Sequence, residues 1–458
     1  MGWYSGLGER MSRRILIIGG NAAGVNAANS ARKTDSSAEI TIIEKEKYSA
    51  YSRCGIPFAL GGEVPQLEDL QVFPSSHYSI MKIDLRLETT ARLVDPKEKT
   101  VSIEEKNGKT ESIKYDSLIL ATGASPFLLP IKGHNLPGVF PIRTIEDGRK
   151  IAQFMDDSKG AVIIGAGFIG LEAAHALSSK NIKTVIVELM PQVIPTMFDP
   201  DMARIVQRRI EEHGVEVMVN SRVTEILGDD KVVGVRAEDR EIPAEIVIMA
   251  TGVRPDVGLA QSIGCEIGVT RGIRVSMRME TSVPGVYAAG DCVESQNRMT
   301  GKPCLIQLGT CSVRQGKTAG INAAGGYATY PGAMASAVSK FFDIEVGGVG
   351  LMERAARSEG FQTVSGSVSG KTRAEYFPGG KEIRVKLIAE PTMGRILGGQ
   401  IIGGEEVTQR VNMLSVAIER GMSVWDLAKA DTAYAPPLAE TWEPVALAAE
   451  VTTMRIRR

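Results

Sequence analysis

Two glycine-rich turns and one cysteine carry the residue types in this 458-residue chain that could do redox chemistry. Gly19-Gly20-Asn21-Ala22-Ala23-Gly24 follows the apolar run ILIIG at 15–19, and Glu44 ends the next run, TIIE, with Lys45 after it. Gly165-Ala166-Gly167-Phe168-Ile169-Gly170 follows AVIIG at 161–165, and Glu188 ends TVIVE at 184–188. A glycine-rich turn between a buried strand and a helix lets backbone approach a pyrophosphate at the helix N-terminus. An acid about twenty residues further on then accepts the ribose hydroxyls. Glu44 lies twenty residues after Gly24, and Glu188 eighteen after Gly170. The chemistry predicted is dinucleotide binding, twice. The first turn departs from G-x-G-x-x-G at Asn21, whereas the second is complete. Glu188 is followed by Leu189 and Met190, neither basic, which favours the free 2′-hydroxyl of NADH and leaves NADPH the less favoured donor.

Cys54 stands in Ala50-Tyr51-Ser52-Arg53-Cys54-Gly55-Ile56-Pro57. The other cysteines, Cys265, Cys292, Cys304 and Cys311, show no C-x-x-C pair and no nearby His, so they read as small core residues and no metal site is expected. All four His residues precede position 332.

The elements that must position these residues follow from the pattern. Near-continuous apolar runs suit parallel strands buried on both faces, and strand–turn–helix repetition argues for an α/β architecture. After about residue 332 the texture changes. The stretch from Ser367 through Gly403 reads as antiparallel strands, and Val407 through Ala430 as helices, a third domain of α+β type. Lys plus Arg total 53 against 54 Asp plus Glu, a net charge of -1, so there is no electrostatic case for a nucleic-acid or membrane partner. Five Cys in a chain this long do not make a disulfide scaffold, and the expected compartment is the cytoplasm. MGWYSGLGERMSRR lacks an apolar stretch and reads as a disordered leader, with Met11 an alternative start.

Thr281-Ser282-Val283-Pro284-Gly285-Val286-Tyr287-Ala288-Ala289-Gly290-Asp291 resembles the T-S-x-P-x-x-Y-A-x-G-D signature of FAD-dependent pyridine nucleotide oxidoreductases. Ala121-Thr122-Gly123 and Ala250-Thr251-Gly252 match that group's two A-T-G motifs, and the resemblance spans residues 15–320. It implies two Rossmann-like dinucleotide-binding domains, one for FAD and one for NAD(P)H, plus a C-terminal α+β dimerisation domain. FAD would take residues 15–125 and 258–332, NAD(P)H 126–257, and the interface domain 333–458, after a leader over 1–14. The implied FAD contacts are Gly19, Gly20, Ala22, Gly24, Glu44, Lys45, Ser52, Ala121, Thr122, Gly123, Gly290 and Asp291. Those for NAD(P)H are Gly165, Gly167, Phe168, Ile169, Gly170, Glu188 and Gly252, with Glu172 facing the nicotinamide.

Glutathione-reductase-type members carry C-x4-C at the Cys54 position, but residue 59 here is Ala. The S-x-C-G-I-P pattern is similar instead to the single-cysteine branch: coenzyme A-disulfide reductases, persulfide reductases, NADH oxidases and peroxidases. There the Cys cycles between thiolate and a mixed disulfide or sulfenic acid, and a following helix N-terminus and the flavin's proximity are expected to stabilise the thiolate. Tyr434 in Y-A-P-P, ahead of Trp442-Glu443-Pro444, resembles the Y-x-P-P…W-D-P segment of coenzyme A-disulfide reductases, with Glu443 for Asp. Tyr376 resembles a second Tyr of that family, and the pair would replace the missing third-domain His as proton donor, acting across a homodimer. Oxidases carry a His in the first turn where this chain has Ala22. Arg32, Lys33, Tyr51 and Arg53 are the implied substrate contacts. The expected activity is reduction of coenzyme A disulfide, coenzyme A persulfide or polysulfide. The alternatives are an NADH oxidase and a flavin reductase serving a small electron-transfer protein.

Overall fold

The computed structural model describes residues 12–456. Three sheets organise them. The first is all parallel, in the order Val286–Ala288, Ser117–Leu120, Arg14–Ile18, Glu39–Ile43, Ile83–Arg86. The second is also all parallel: Glu216–Met218, Lys183–Val187, Gly160–Ile164, Ile246–Met249, Val139–Phe140. Ile15 to Ile18 and Ala161 to Ile164 are all buried, as strands covered by helices on both faces require. The second sheet is built from chain that leaves the first after Leu120 and returns at Val286. The two crossings pair with each other, Ala124–Pro126 antiparallel to Val253–Pro255, each directly after an A-T-G motif.

The third sheet is antiparallel, in the order Ala337–Phe341, Ile344–Gly350, Ile396–Gly403, Glu382–Ala389, Val364–Lys371. Helices Val407–Glu419 and Pro444–Ile456 cover it, so the α+β expectation holds. It is tied to the second unit by charge. Lys386, 6 % exposed at its side chain, bonds Asp199 at 3.1 Å, Asp201 at 2.8 Å and Glu353 at 2.9 Å.

The expected leader runs too far. Ser12 Oγ donates to the Ser37 carbonyl, Arg13 to that of Ala323, and Arg14 opens the first strand. Positions 1–11, with Met11, lie outside the described residues. Among the described residues no helix is long and apolar enough to cross a membrane.

Candidate active site

Each glycine-rich turn is closed by its own acid. Glu44 accepts Gly20 N–H at 2.6 Å and Glu46 N–H at 2.9 Å, and Glu188 accepts Ala166 N–H and Met190 N–H, both at 2.7 Å. Both carboxylates are buried, and burial pushes Glu44 above the usual carboxylate range. Glycine is required at the turn's end: a Cβ on Gly24 would lie 1.8 Å from the Gly19 carbonyl oxygen, and one on Gly170 2.0 Å from that of Gly165.

Asn21 has its own use. It caps the helix Ala22–Thr34 by accepting Ala22 N–H at 2.8 Å, while its Nδ2 is buried with no partner. A buried amide donor without an acceptor is costly and marks a missing oxygen. A flavin dinucleotide supplies such oxygens, so the first turn fits FAD. At the second turn a Cβ on Gly167 would meet nothing within 4 Å, leaving open room at the N-terminus of the helix Phe168–Ser179 for a nucleotide phosphate. Phe168 is half-buried and Ile169 exposed at the same helix start.

Asp291 lies where the first sheet's last strand ends. Ser312 Oγ donates to it at 3.1 Å, and Gly290 N–H donates to Gln315 Oε1 at 2.8 Å, both partners on the helix Gly309–Ala323. Arg143 pairs with Asp291 at 2.8 Å, its Nε buried and unpartnered. A Cβ on Gly123 would stand 3.7 Å from the Arg143 guanidinium, so the A-T-G turn and the signature Asp face one cation. Thr122 Oγ1 ties that turn to the Asp256 carbonyl at 2.6 Å. Arg143 has no motif of its own, and the sequence reading missed it.

Cys54 sits in the single 3-10 turn Arg53–Gly55 ahead of the helix Ile56–Gly61, after the exposed Ser52. Of the five cysteines it alone is exposed. The residue is exposed, yet its thiol is largely desolvated by the groups around it. Burial pushes it up, the charges of Glu172 and Asp291 push the same way, and Arg143 and Arg53 oppose them. Among this chain's own groups, burial and these two carboxylates act against the stabilisation expected from the following helix N-terminus. The helix has six residues and little dipole, while two carboxylates face the same space.

Tyr51 and Arg53 do not line an open channel. Tyr51 is 3 % exposed and donates to Glu46 at 2.5 Å. Arg53 pairs with Glu46 at 2.7 Å, donates to the Arg143 carbonyl at 2.8 Å and stacks over the Tyr51 ring. Together with Glu46, which carries no motif in the sequence, they form a bonded cluster next to Cys54 in the chain. Arg32 is likewise committed, donating to the Met81, Lys82 and Ser36 carbonyls at 2.7–2.8 Å. Lys33 and Lys45 remain exposed.

Glu172, on the helix Phe168–Ser179, accepts Ser339 Oγ from the third sheet's edge strand at 2.5 Å. Burial pushes its carboxyl up to about 7, against that hydrogen bond. Tyr376 and Tyr434 lie together elsewhere, hydroxyl to hydroxyl at 3.1 Å and 75 % and 45 % exposed. That hydrogen bond raises the Tyr376 phenol. Among the described residues nothing bonds either phenol to the Cys54 segment.

The chain matches the pyridine nucleotide-disulphide oxidoreductase profile over residues 13–316 and that family's dimerisation domain over 336–446. It is 43 % identical over 440 residues to the NADH oxidase of Methanocaldococcus jannaschii, covering 95 % of this chain and 98 % of that one. It is 33 % identical over 447 residues to the NAD(P)H coenzyme A polysulfide/persulfide reductase of Pyrococcus horikoshii, covering 97 % and 99 %. The solved NAD-dependent persulfide reductase from A. fulgidus superposes with a TM-score of 0.94 at 38 % identity, over 97 % of this chain and 83 % of that one. That superposition takes in both parallel sheets and the antiparallel domain of this chain. The chain belongs to the pyridine nucleotide-disulphide oxidoreductase family.

Proposed function

We propose that the chain is an NAD(P)H-dependent FAD enzyme that reduces coenzyme A disulfide, coenzyme A persulfide or polysulfide through Cys54. The observation that carries the reading is that Cys54 is the one exposed cysteine and its thiol feels the charges of Glu172, Asp291, Arg143 and Arg53. Residue 59 is Ala, so no second thiol stands at that spacing to close an internal disulfide. The persulfide-reducing relatives named above support the same substrate class.

FAD, when bound, supplies the route by which an electron pair from NAD(P)H reaches sulfur. In this chain the first turn, Asn21 and Asp291 would hold FAD, and the second turn and Glu188 NAD(P)H, with Glu172 at the nicotinamide end. Cys54 as thiolate attacks the acceptor R–S–S–R: a Cys54–S–S–R bond forms and R–S⁻ leaves. Two electrons and a proton then break that mixed disulfide, regenerating the Cys54 thiolate and releasing R–SH. Tyr434, reaching in from a second copy of the chain and held by Tyr376, donates to the departing sulfur. The exposed Tyr376, Leu438 and Trp442 suit a surface buried in such a homodimer. With Arg32 tied to backbone, Lys33 is the helix-end cation free to meet an acceptor's phosphates. Five free thiols fit a reducing, cytoplasmic setting.

A second reading, an NADH oxidase, has the name of the M. jannaschii relative in its favour. The test is anaerobic NADH turnover with coenzyme A disulfide, then coenzyme A persulfide, for wild type and Cys54→Ser. Acceptor-dependent turnover that vanishes in the variant is the expected result. Turnover restored only by air assigns the oxidase.

A further inference from the structure

Tyr376 and Tyr434 lie on two stretches without helix or strand, residues 372–381 and 428–443. Both rings are exposed, so core packing does not set the 3.1 Å separation of their hydroxyls. Polar anchors do. Glu405 accepts Thr372 Oγ1 at 2.7 Å and pairs with Arg373 at 3.3 Å. Thr372 Oγ1 in turn accepts Lys381 N–H at 3.0 Å, which closes the loop carrying Tyr376.

The adjacent residue serves the other stretch. Glu406 accepts from Arg410 at 3.1 Å, and Arg410, 6 % exposed, clasps Glu443 in a bidentate pair at 2.7 and 3.0 Å. Glu443 also accepts Val445 N–H at 3.3 Å, which ends the Tyr434 stretch where the helix Pro444–Ile456 begins. The two stretches meet where Ala374 N–H donates to the Pro436 carbonyl at 3.3 Å. Between strand Ile396–Gly403 and helix Val407–Glu419, Glu406 adopts φ 61° and ψ 19°, left-handed backbone that a non-glycine residue keeps only where its surroundings over-determine it.

We infer that Glu405-Glu406 is a positioning junction for the tyrosine pair. The left-handed turn sends one carboxylate to the Tyr376 loop and the other, through Arg410 and Glu443, to the Tyr434 stretch. The inference deepens, and rests on, the reading that Tyr434 protonates a leaving sulfur. Glu443, where the resembling family has Asp, supplies the bidentate face that Arg410 grips.

The test uses FAD-loaded protein carrying Glu443→Gln, Glu443→Asp or Glu406→Gln, each also combined with Tyr434→Phe. Backbone amide exchange across 431–443 is expected to rise in Glu443→Gln and return toward wild type in Glu443→Asp. In rapid mixing, NADH-driven flavin reduction stays at wild-type speed, because none of these residues touches a nucleotide turn. The acceptor step slows about tenfold to hundredfold, the scale of an ångström of misplacement, and Tyr434→Phe adds nothing further. Should Glu443→Gln not fold, Glu406→Gln, its side chain 38 % exposed, carries the same reading. Unchanged exchange across 431–443, or equal slowing of both half-reactions, overturns the inference. Raised exchange with a silent acceptor step, and a silent Tyr434→Phe, upholds the junction and removes the proton-donor role of Tyr434 instead.

Discussion

Glu172 is an acid whose proton the fold controls through burial. Burial lifts its carboxyl from the ordinary 4.5 to about 7, although Ser339 Oγ donates to it at 2.5 Å and opposes the shift. At 1.36 kcal/mol per unit, that lift corresponds to about 3 kcal/mol. The folded value lies above the unfolded one, so the folded chain holds the proton more tightly. Below pH 4.5 both states are protonated and the group costs nothing. As pH rises from 4.5 through about 7 the folded chain progressively bears the cost of a buried charge, and above that the full ~3 kcal/mol is lost. Glu172→Gln keeps the shape without the charge. With an unfolding entropy of about 2.1 cal/mol/K per residue, a chain of this length loses about 1 kcal/mol per degree, so the effect is worth about 3 °C. Thermal melts of flavin-free wild type and Glu172→Gln at pH 5 and pH 8 read it: the Gln variant's advantage should be about 3 °C larger at the higher pH. An advantage that is the same at both pH values would refute the buried-charge argument.

Cys54→Ser should remove acceptor-dependent NAD(P)H consumption while anaerobic flavin bleaching by NAD(P)H persists; acceptor turnover surviving in the variant would show that another group carries the chemistry. Glu188→Gln leaves a single acceptor oxygen for the Ala166 and Met190 amides, both now at 2.7 Å from the carboxylate. Losing a charge-assisted bond of about 1.5–3 kcal/mol should raise the KM for NADH at least tenfold with kcat little changed, and narrow its advantage over NADPH; steady-state kinetics with both donors decides. Lys386→Met strands Asp199 and its neighbours without a buried cation. A loss of about 3–5 kcal/mol, hence a Tm about 3–5 °C lower, is expected, and an unchanged melt contradicts the role of the cluster.

Much of the scaffold was legible because its signals are local. Apolar runs that end in glycine turns and an acid are dictated by backbone approach and strand burial, and both units folded as read. The same locality says less about Arg32, Tyr51 and Arg53. A basic or aromatic side chain near a site looks available in sequence, yet each of these found a carbonyl or Glu46 within the fold. Arg143, Ser339 and the Glu405-Glu406 junction carried no spacing signal, since their partners Asp291, Glu172 and Glu443 lie 148, 167 and, counted from Glu406's relay Arg410, 33 positions away.

Sequence alone determined two nucleotide turns, their acids, one thiol without a C-x4-C partner and a third domain of different texture. Each depends on neighbours within a few tens of residues and on the hydrophobic period. Tertiary structure alone decided which charges face Cys54, that Glu172 is held near neutrality, and that the tyrosines stand apart from the thiol in one chain. Those are properties of burial and of pairs brought together across domains, which no local pattern encodes.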